Sequence, residues 1–570
     1  MTGATAYNVY FNTVTGVTTA SATKTTNITV LTTNITGLTN ATPYYFIVTA
    51  IGSGGESAAS SEVSATPMFA TVTPNDPLFA QQWHLKNTGQ LGQDSVAALA
   101  GQDLNITSVW TNYTGAGIRI AVIDDGLDIA HEDLSPNVVP NKSWDYTLPN
   151  GGAYGSPSAT TGSHGTSCGG LAAAKGNNSI GVTGVAFNSS LVGYNLLATG
   201  NTNMAAAAHS VTLDLATNDV YSNSYGASDD RGLYFDADSA WEAAINTGIT
   251  TGRGGKGSVY AWAAGNGAAT VDRSDYDGQA NYGGVLAIGA LNSQGKKASY
   301  SEEGANILAM GFGGEDCSTQ QTVSADVTGM PGYNTGTSPN DLAGQAGYTR
   351  CFNGTSASCP QGAGLAALLL QANPNLSWRD VRYILATTSR KNDATDTDWV
   401  KNKGGTGLWV NHKYGFGTLD AAAAISRATT NYGNLPALLS PAAQSNLNAQ
   451  VIPDNTGTLI TSTITVAASG VTKLEFVDVT VRSSHTGVGD LAITITSPSG
   501  TVRTLALQHT CRDAMTAVVP CGGWNGGVWR FGVAQLVDEP ADGTWTLTIR
   551  DEGAGGTGSL TGWSIGASGH

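Results

Sequence analysis

Apolar and polar positions along the chain follow three different rhythms. In the opening stretch, AYNVYFNTV, TNITVLTT and PYYFIVTAIGSGG alternate apolar with polar residues between clusters of turn formers, which predicts short antiparallel strands. From about residue 68 the pattern changes. Continuous apolar runs, IRIAVID, SLVGYNLL, GSVYAWAAGN and GVLAIGAL, are separated by the helical stretches SCGGLAAAKG and SAWEAAINTG. Strands that are apolar on both faces predict a parallel, doubly wound α/β sheet. After Asn431 alternation returns in KLEFVDVTVR, DLAITITSPSG and GTWTLTIRD, and a separate β-domain is expected there. The chain therefore divides into residues 1–67, 68–432 and 433–570.

Composition narrows the setting. Only 12% of residues are charged while glycine reaches 74, a profile of turns and β-structure common in extracellular proteins. The formal charge of −16 argues against nucleic acid or an anionic membrane surface as a partner. No apolar run reaches the roughly 20 residues that span a bilayer, and no charged-then-apolar signal opens the chain, so a fragment of a secreted or cell-surface protein is expected. The six cysteines lack the paired spacing of a zinc site, and disulfides are the expected use.

The chemistry begins with three element ends. The strand IRIAVI runs into Asp124, and in an α/β sheet the carboxyl ends of strands face the ligand crevice. His164 opens the small-residue helix of SHGTSCGGLAAAKG, and Ser356 stands at the start of the apolar helix that follows NGTSASCP. Each alone has an ordinary reading: a strand-end acid, a lone histidine, a helix N-cap. Together they supply a nucleophile, a base and a residue to orient the base. The order Asp, His, Ser differs from that of the α/β-hydrolases, whose G-x-S-x-G elbow is absent around Ser356, and points to a subtilisin-type triad. Asn266, in WAAGNG after another strand, is placed to share the oxyanion with the Ser356 backbone amide.

These blocks, with AVIDDGLDIAHEDL, VYSNSYGASDDRG, YDGQANY and HKYGFGTLDA, resemble the kexin branch of the subtilisin-like proteases over nearly all of residues 74–430. The C-terminal HTGVGDLAITITSPSGT and VWRFGVAQLVDEPADGTWTLTIRDEGAGGTGSLTGW resemble that family's P domain, implying a jelly-roll-like fold in which Trp545 and Trp563 point inward. The opening segment resembles the later strands of a fibronectin type III domain, an incomplete β-sandwich, with a tyrosine after GLTNATP placed as in that fold's tyrosine corner.

The resemblance implies a secreted calcium-dependent serine endopeptidase that cuts protein or peptide substrates after Arg or Lys. Its primary pocket would carry Asp229 and Asp277, beside Ser224, Tyr225 and Gly226, and Asp125 would face the next substrate residue. One Ca2+ site would use Asp76, Asp133, Asn178 and carbonyls around Lys175, Ile180 and Val182; a second would use Asp229, Asp272 and Glu302. Disulfides Cys317–Cys351 and Cys511–Cys521 are implied in the same way, with Cys168 and Cys359 either two inert thiols or one further bond. The chain departs from dibasic-specific members in lacking an acid in TTGS before His164 and in NMAAAAHS, and Asp236 is the candidate substitute. A pro-segment or chaperone is an expected partner, since relatives need a folding template and none is recognisable upstream. The competing reading, an adhesive protein built on an inactive protease scaffold, is weakened by the intact Asp124, His164, Ser356 and Asn266.

Overall fold

A computed structural model describes every residue except 1–2, 40–41, 66, 68–70, 149–151, 155–162, 199–202, 330–331 and 514–516. Two units separate: Met1–Val72 with Ser108–Thr111, and Thr73–Thr107 with Asn112–His570. In the first, Thr23–Ile28, Ala6–Asn12, Tyr44–Gly52 and Gly55–Glu56 pair in that order, and Val63–Ala65 adds to Tyr44–Gly52. All pairings are antiparallel, as the alternation predicts. The described strands form one sheet over a small core of Tyr10, Val17 and Ile47. The Tyr44 hydroxyl accepts from the Thr39 amide at 3.0 Å, five residues upstream.

In the second unit the continuous apolar runs become strands β1 (Arg119–Asp124), β2 (Trp144–Asp145), β3 (Ala153–Tyr154), β4 (Ser190–Asn195), β5 (Val220–Asn223), β6 (Val259–Ala263), β7 (Leu286–Leu291) and β8 (Ile307–Phe312). Their order is β8-β7-β6-β5-β1-β4-β2-β3, parallel except for the β2–β3 hairpin. From β1 the chain winds to one side as far as β4, then returns to β5 and winds to the other. The β1–β5 boundary is thus the topological switch point, where a crevice opens at the carboxyl ends. Helices α1 (His164–Ala173), α2 (Met204–Ser210), α3 (Ser239–Gly255), α4 (Thr355–Ala372), α5 (Trp378–Thr388) and α6 (Ala421–Thr429) complete this region. Every residue of α4 from Thr355 to Leu370 is buried, because its alanines, glycines and leucines are apolar on all faces.

The described C-terminal region is built on two larger antiparallel sheets, beside a short pair of Cys511–Arg512 with Val518–Val519. Gln444–Asn446, Gly558–Gly569, Leu474–Ser483 and Val528–Val533 form one, joined by Gln450–Ile452; Ile460–Val466, Gly543–Asp551, Leu491–Thr496 and Val502–Ala506 form the other. Trp545 and Trp563 are fully buried in its core. Their indole N–H groups are satisfied by the Ala541 carbonyl and Ser462 Oγ, both at 2.9 Å. The same core takes in Tyr276 and Ala305 from the α/β region, so the two regions share apolar packing. Disulfides join Cys317 to Cys351 and Cys511 to Cys521. Cys168 and Cys359 are free and buried, which settles the open alternative in favour of two thiols.

Candidate active site

At the carboxyl edge of the sheet, β1 ends on the buried Asp124 and α1 begins on His164, with Asp124 Oδ1 2.8 Å from His164 Nδ1. That bond keeps the proton on Nδ1 and leaves Nε2 as the basic nitrogen. Burial opposes charging of His164, but the Asp124 carboxylate outweighs it and holds the imidazole well above its ordinary pKa. Phe352 packs edge-to-face with the ring, their centroids 5.4 Å apart.

Ser356 is the second residue of α4, and its Oγ donates to the Ser224 carbonyl at 3.3 Å. Within a helix its own carbonyl would accept from residue 360. Pro360 has no amide proton to give, so that carbonyl is free. It accepts instead from Ser224 Oγ at 3.1 Å and from the Cys168 thiol at 3.5 Å. Cys168 thereby ties α1 to α4 behind the reactive groups. Burial pushes its pKa up to about 11 and that of Cys359 up to about 12, so both thiols stay protonated and unreactive.

Asn266 lies in the loop after β6. Its Oδ1 accepts from the Thr355 amide at 2.8 Å and the Thr355 hydroxyl at 2.9 Å, which fixes the side chain with Nδ2 as the group left to donate. Thr355 is a positioning residue the sequence reading missed. Its only signal was its place beside Ser356, where it reads as part of a helix cap.

His164, Ser356 and Asn266 line one cavity of ≈ 320 Å³ with Ser224, Tyr225 and Gly226. The remaining wall is acidic: Asp229, Asp272, Asp277 and Glu302. Gly226 is glycine for want of space, since a Cβ there would collide with Asp277 Oδ2. Burial, reinforced by Asp272 and Asp229, raises Glu302 well above the ordinary carboxylate range. Burial also raises Asp272, to about 6, and raises Asp229 and Asp277, against hydrogen bonds that pull each back. The cation among the lining residues, Arg273, is paired with Asp275 at 2.8 Å. Three buried carboxylates, Asp272, Asp277 and Glu302, with the more exposed Asp229 beside them, form a hard-oxygen donor set that fits a cation, either a metal ion or a basic side chain.

The other acid group sits on the loop after α1. Asp76 accepts from the amides of Asn177 and Asn178 at 2.9 and 3.0 Å. Asp133 accepts from Asn178 Nδ2 at 2.7 Å and the Val182 amide at 2.8 Å, and the Lys175 amide donates to the Asp133 carbonyl at 2.8 Å. Ile180 turns back onto Asn178 Oδ1 at 2.9 Å, so the residues expected to share a site do meet. Burial raises Asp133 to about 7, and a bound cation would remove that cost.

Asp125 sits at the start of α1. Its oxygens accept from the backbone amides of Gly165 at 2.8 Å and His164 at 3.3 Å, the free donors at the start of α1, and it is not among the residues lining the cavity. Asp236 is also engaged, accepting from Asn525 of the C-terminal region at 3.3 Å. NMAAAAHS supplies α2 and its N-cap Asn203; of TTGS, only Ser163 lies within the described residues.

Comparison with known proteins agrees with this geometry. Residues 115–417 match the Subtilase family and residues 474–567 the proprotein convertase P-domain. Human proprotein convertase subtilisin/kexin type 7 is 33% identical over 487 residues, covering 84% of this chain and 58% of the relative, so the chain spans little more than half of that protein's length. Human neuroendocrine convertase 2 is also 33% identical, with 84% of this chain and 71% of the relative covered. The crystal structure of the Aeromonas sobria serine protease in complex with its chaperone superposes with a TM-score of 0.76 at 28% identity, over 88% of this chain and 96% of that one. The chain belongs to the subtilase family of subtilisin-like serine proteases and carries the P-domain of its proprotein convertase relatives.

Proposed function

We propose that this chain is a calcium-dependent serine endopeptidase that cleaves protein or peptide substrates after Arg or Lys in an extracellular or secretory setting. The observation that supports it most is the meeting of the Asp124-bound His164, Ser356 and Asn266 at one cavity with three buried acids, Asp272, Asp277 and Glu302, and the more exposed Asp229. His164 Nε2 takes the proton as Ser356 Oγ attacks the substrate carbonyl. The oxyanion is held by Asn266 Nδ2 and the Ser356 amide. The amine leaves with the proton from His164, and water then releases the acyl group by the same route. Asp229 and Asp277 receive the basic side chain, with Ser224, Tyr225 and Gly226 forming the pocket wall. Ca2+, when bound, neutralises the acids and fixes their loops: Asp229, Asp272 and Glu302 would hold one ion, and Asp76, Asp133, Asn178 with carbonyls of Lys175, Ile180 and Val182 the other.

The same reading divides the chain at 67 and 432 and takes the opening sheet as fibronectin type III-like, supported by the Tyr44 hydroxyl reaching back to Thr39. A folding chaperone or pro-segment is the expected partner, by analogy with the Aeromonas complex. The test is fluorophosphonate labelling of Ser356, abolished in Ser356→Ala, followed by sequencing of products from a random peptide library. Arg and Lys should dominate before the cut; Phe, Leu or Tyr there would overturn the pocket assignment.

A further inference from the structure

Two consecutive peptide groups, at Arg231 and Gly232, stand between the acid cavity and the P-domain. Their amides face inward: Arg231 N donates to Asp272 Oδ2 at 2.8 Å and Gly232 N to Asp272 Oδ1, so both oxygens of one cavity acid hang on this dipeptide. Their carbonyls face outward. The Arg231 carbonyl accepts from the Arg512 amide at 2.8 Å, and the Gly232 carbonyl lies 2.8 Å from His509 Nε2. The dipeptide is thus gripped on one side by the cavity and on the other by residues 509–512. The fit is close: Gly232 has φ +61°, and a Cβ there would lie 2.6 Å from the Thr510 carbonyl.

His509 is itself built into place. Its Nδ1 faces the Leu507 carbonyl at 2.8 Å and the hydroxyl of Tyr276, a cavity-lining residue, at 3.3 Å. The Cys511–Cys521 disulfide closes the segment just beyond it. We propose that His509 of the P-domain is a positioning residue for substrate and calcium recognition, acting through Gly232 and Arg231 on the Asp272 carboxylate. It touches neither the substrate nor the reacting atoms. What it sets is where the Asp272 side of the acid wall stands. The inference rests on the reading of the cavity as a pocket for basic side chains and calcium.

The experiment compares the full chain with His509→Ala and His509→Gln on paired peptides carrying Arg or Leu before the scissile bond, over a calcium titration. In the wild type, Arg should be preferred. In His509→Ala, KM for the Arg peptide and the calcium concentration for half-maximal activity should each rise about tenfold, the scale of one lost hydrogen bond. Over the same comparison, kcat and the rate of fluorophosphonate labelling should change less than about twofold. His509→Gln keeps an N–H donor and should recover most of the loss; if the alanine variant does not fold, a rise of about threefold in the glutamine variant carries the test. An Arg preference in the wild type with KM and calcium response unmoved in both variants overturns the role of His509 alone. Equal loss on both peptides with a lowered melting temperature does the same, since it marks general destabilisation. A wild type indifferent to Arg and to calcium overturns the pocket reading, and this inference with it.

Discussion

The two acid clusters of the α/β region use the same residue types to different ends. Around Asp76 and Asp133 the carboxylates are taken up by donors from a single loop, including Thr183 Oγ at 2.5 Å from Asp76, so the acids hold that loop closed. Around Asp229, Asp272, Asp277 and Glu302 the acids instead border an open cavity shared with His164 and Ser356. One cluster is closed over by backbone and side-chain donors of a single loop; the other also accepts backbone amides but keeps room for a ligand. A closed donor set fits a structural ion, whereas an open one fits recognition, much as closed and open metal sites divide between structure and catalysis.

The sharpest way to break this contrast is to neutralise one acid in each cluster. Asp277→Asn should lower kcat/KM on an Arg peptide by roughly a hundredfold, the scale of removing one partner from a desolvated charge pair, with little change on a Leu peptide. Asp133→Asn should leave both peptides within about twofold at saturating calcium. Parallel kinetics on the two variants check this, and equal losses would erase the distinction.

Calcium should separate the clusters next. A ligand that binds only the folded chain at 100 times its Kd adds about 2.7 kcal/mol of stability. Chelation should therefore lower the melting temperature by several degrees. Asp133→Asn and Glu302→Gln should each abolish part of that response, and the double variant all of it. A melting temperature indifferent to chelator in the wild type would remove calcium from both clusters.

How much of this was legible in the sequence depends on locality. Asp124, His164 and Ser356 each stand at an element end, where a change in hydrophobic period marks the position and the parallel sheet fixes the side. Trp545 and Trp563 were legible because period-2 alternation assigns a face. The hold of Thr355 on Asn266 spans 89 positions, and the bond of His509 to Gly232 spans 277. No local pattern encodes either contact. Both form only when the sheet and the P-domain are packed. Pro360 is an intermediate case: it is visible in the sequence, but its effect, a carbonyl freed for Ser224 and Cys168, needs α1 and α4 side by side.

The acid pKa values give a smaller, pH-dependent difference. In chelator, burial raises Asp133 to about 7 and Asp272 to about 6, above the roughly 3.9 of an unfolded aspartate. Between these values the folded chain binds more protons than the unfolded one, so stability contributed by these groups is full below about pH 4 and is lost as pH rises through about 6 to 7. Calcium should flatten this decline by favouring the charged carboxylates. Melting temperatures across pH, with and without calcium, test it; a calcium-free chain that gains stability from these groups over that interval would contradict the burial argument. Asp133→Asn should remove the upper part of the decline and Asp272→Asn the lower.

The smallest expected effect concerns Asp125, which belongs to neither cluster. The family resemblance gives it a role in reading the second substrate residue, but its carboxylate caps α1 through the His164 and Gly165 amides. Asparagine caps helices about as well as aspartate, because one side-chain oxygen still faces the free amides. Asp125→Asn should therefore change the preference for a basic residue two places before the cut by less than about twofold. Asp125→Ala removes the cap and should cost about 1 kcal/mol of stability, together with a fall in kcat on every peptide alike, because α1 begins on His164. Peptide pairs differing only at that second position, measured with both variants, discriminate the two roles. A tenfold loss in Asp125→Asn confined to peptides with a basic residue there would return Asp125 to the substrate and show that it leaves the helix when a peptide binds.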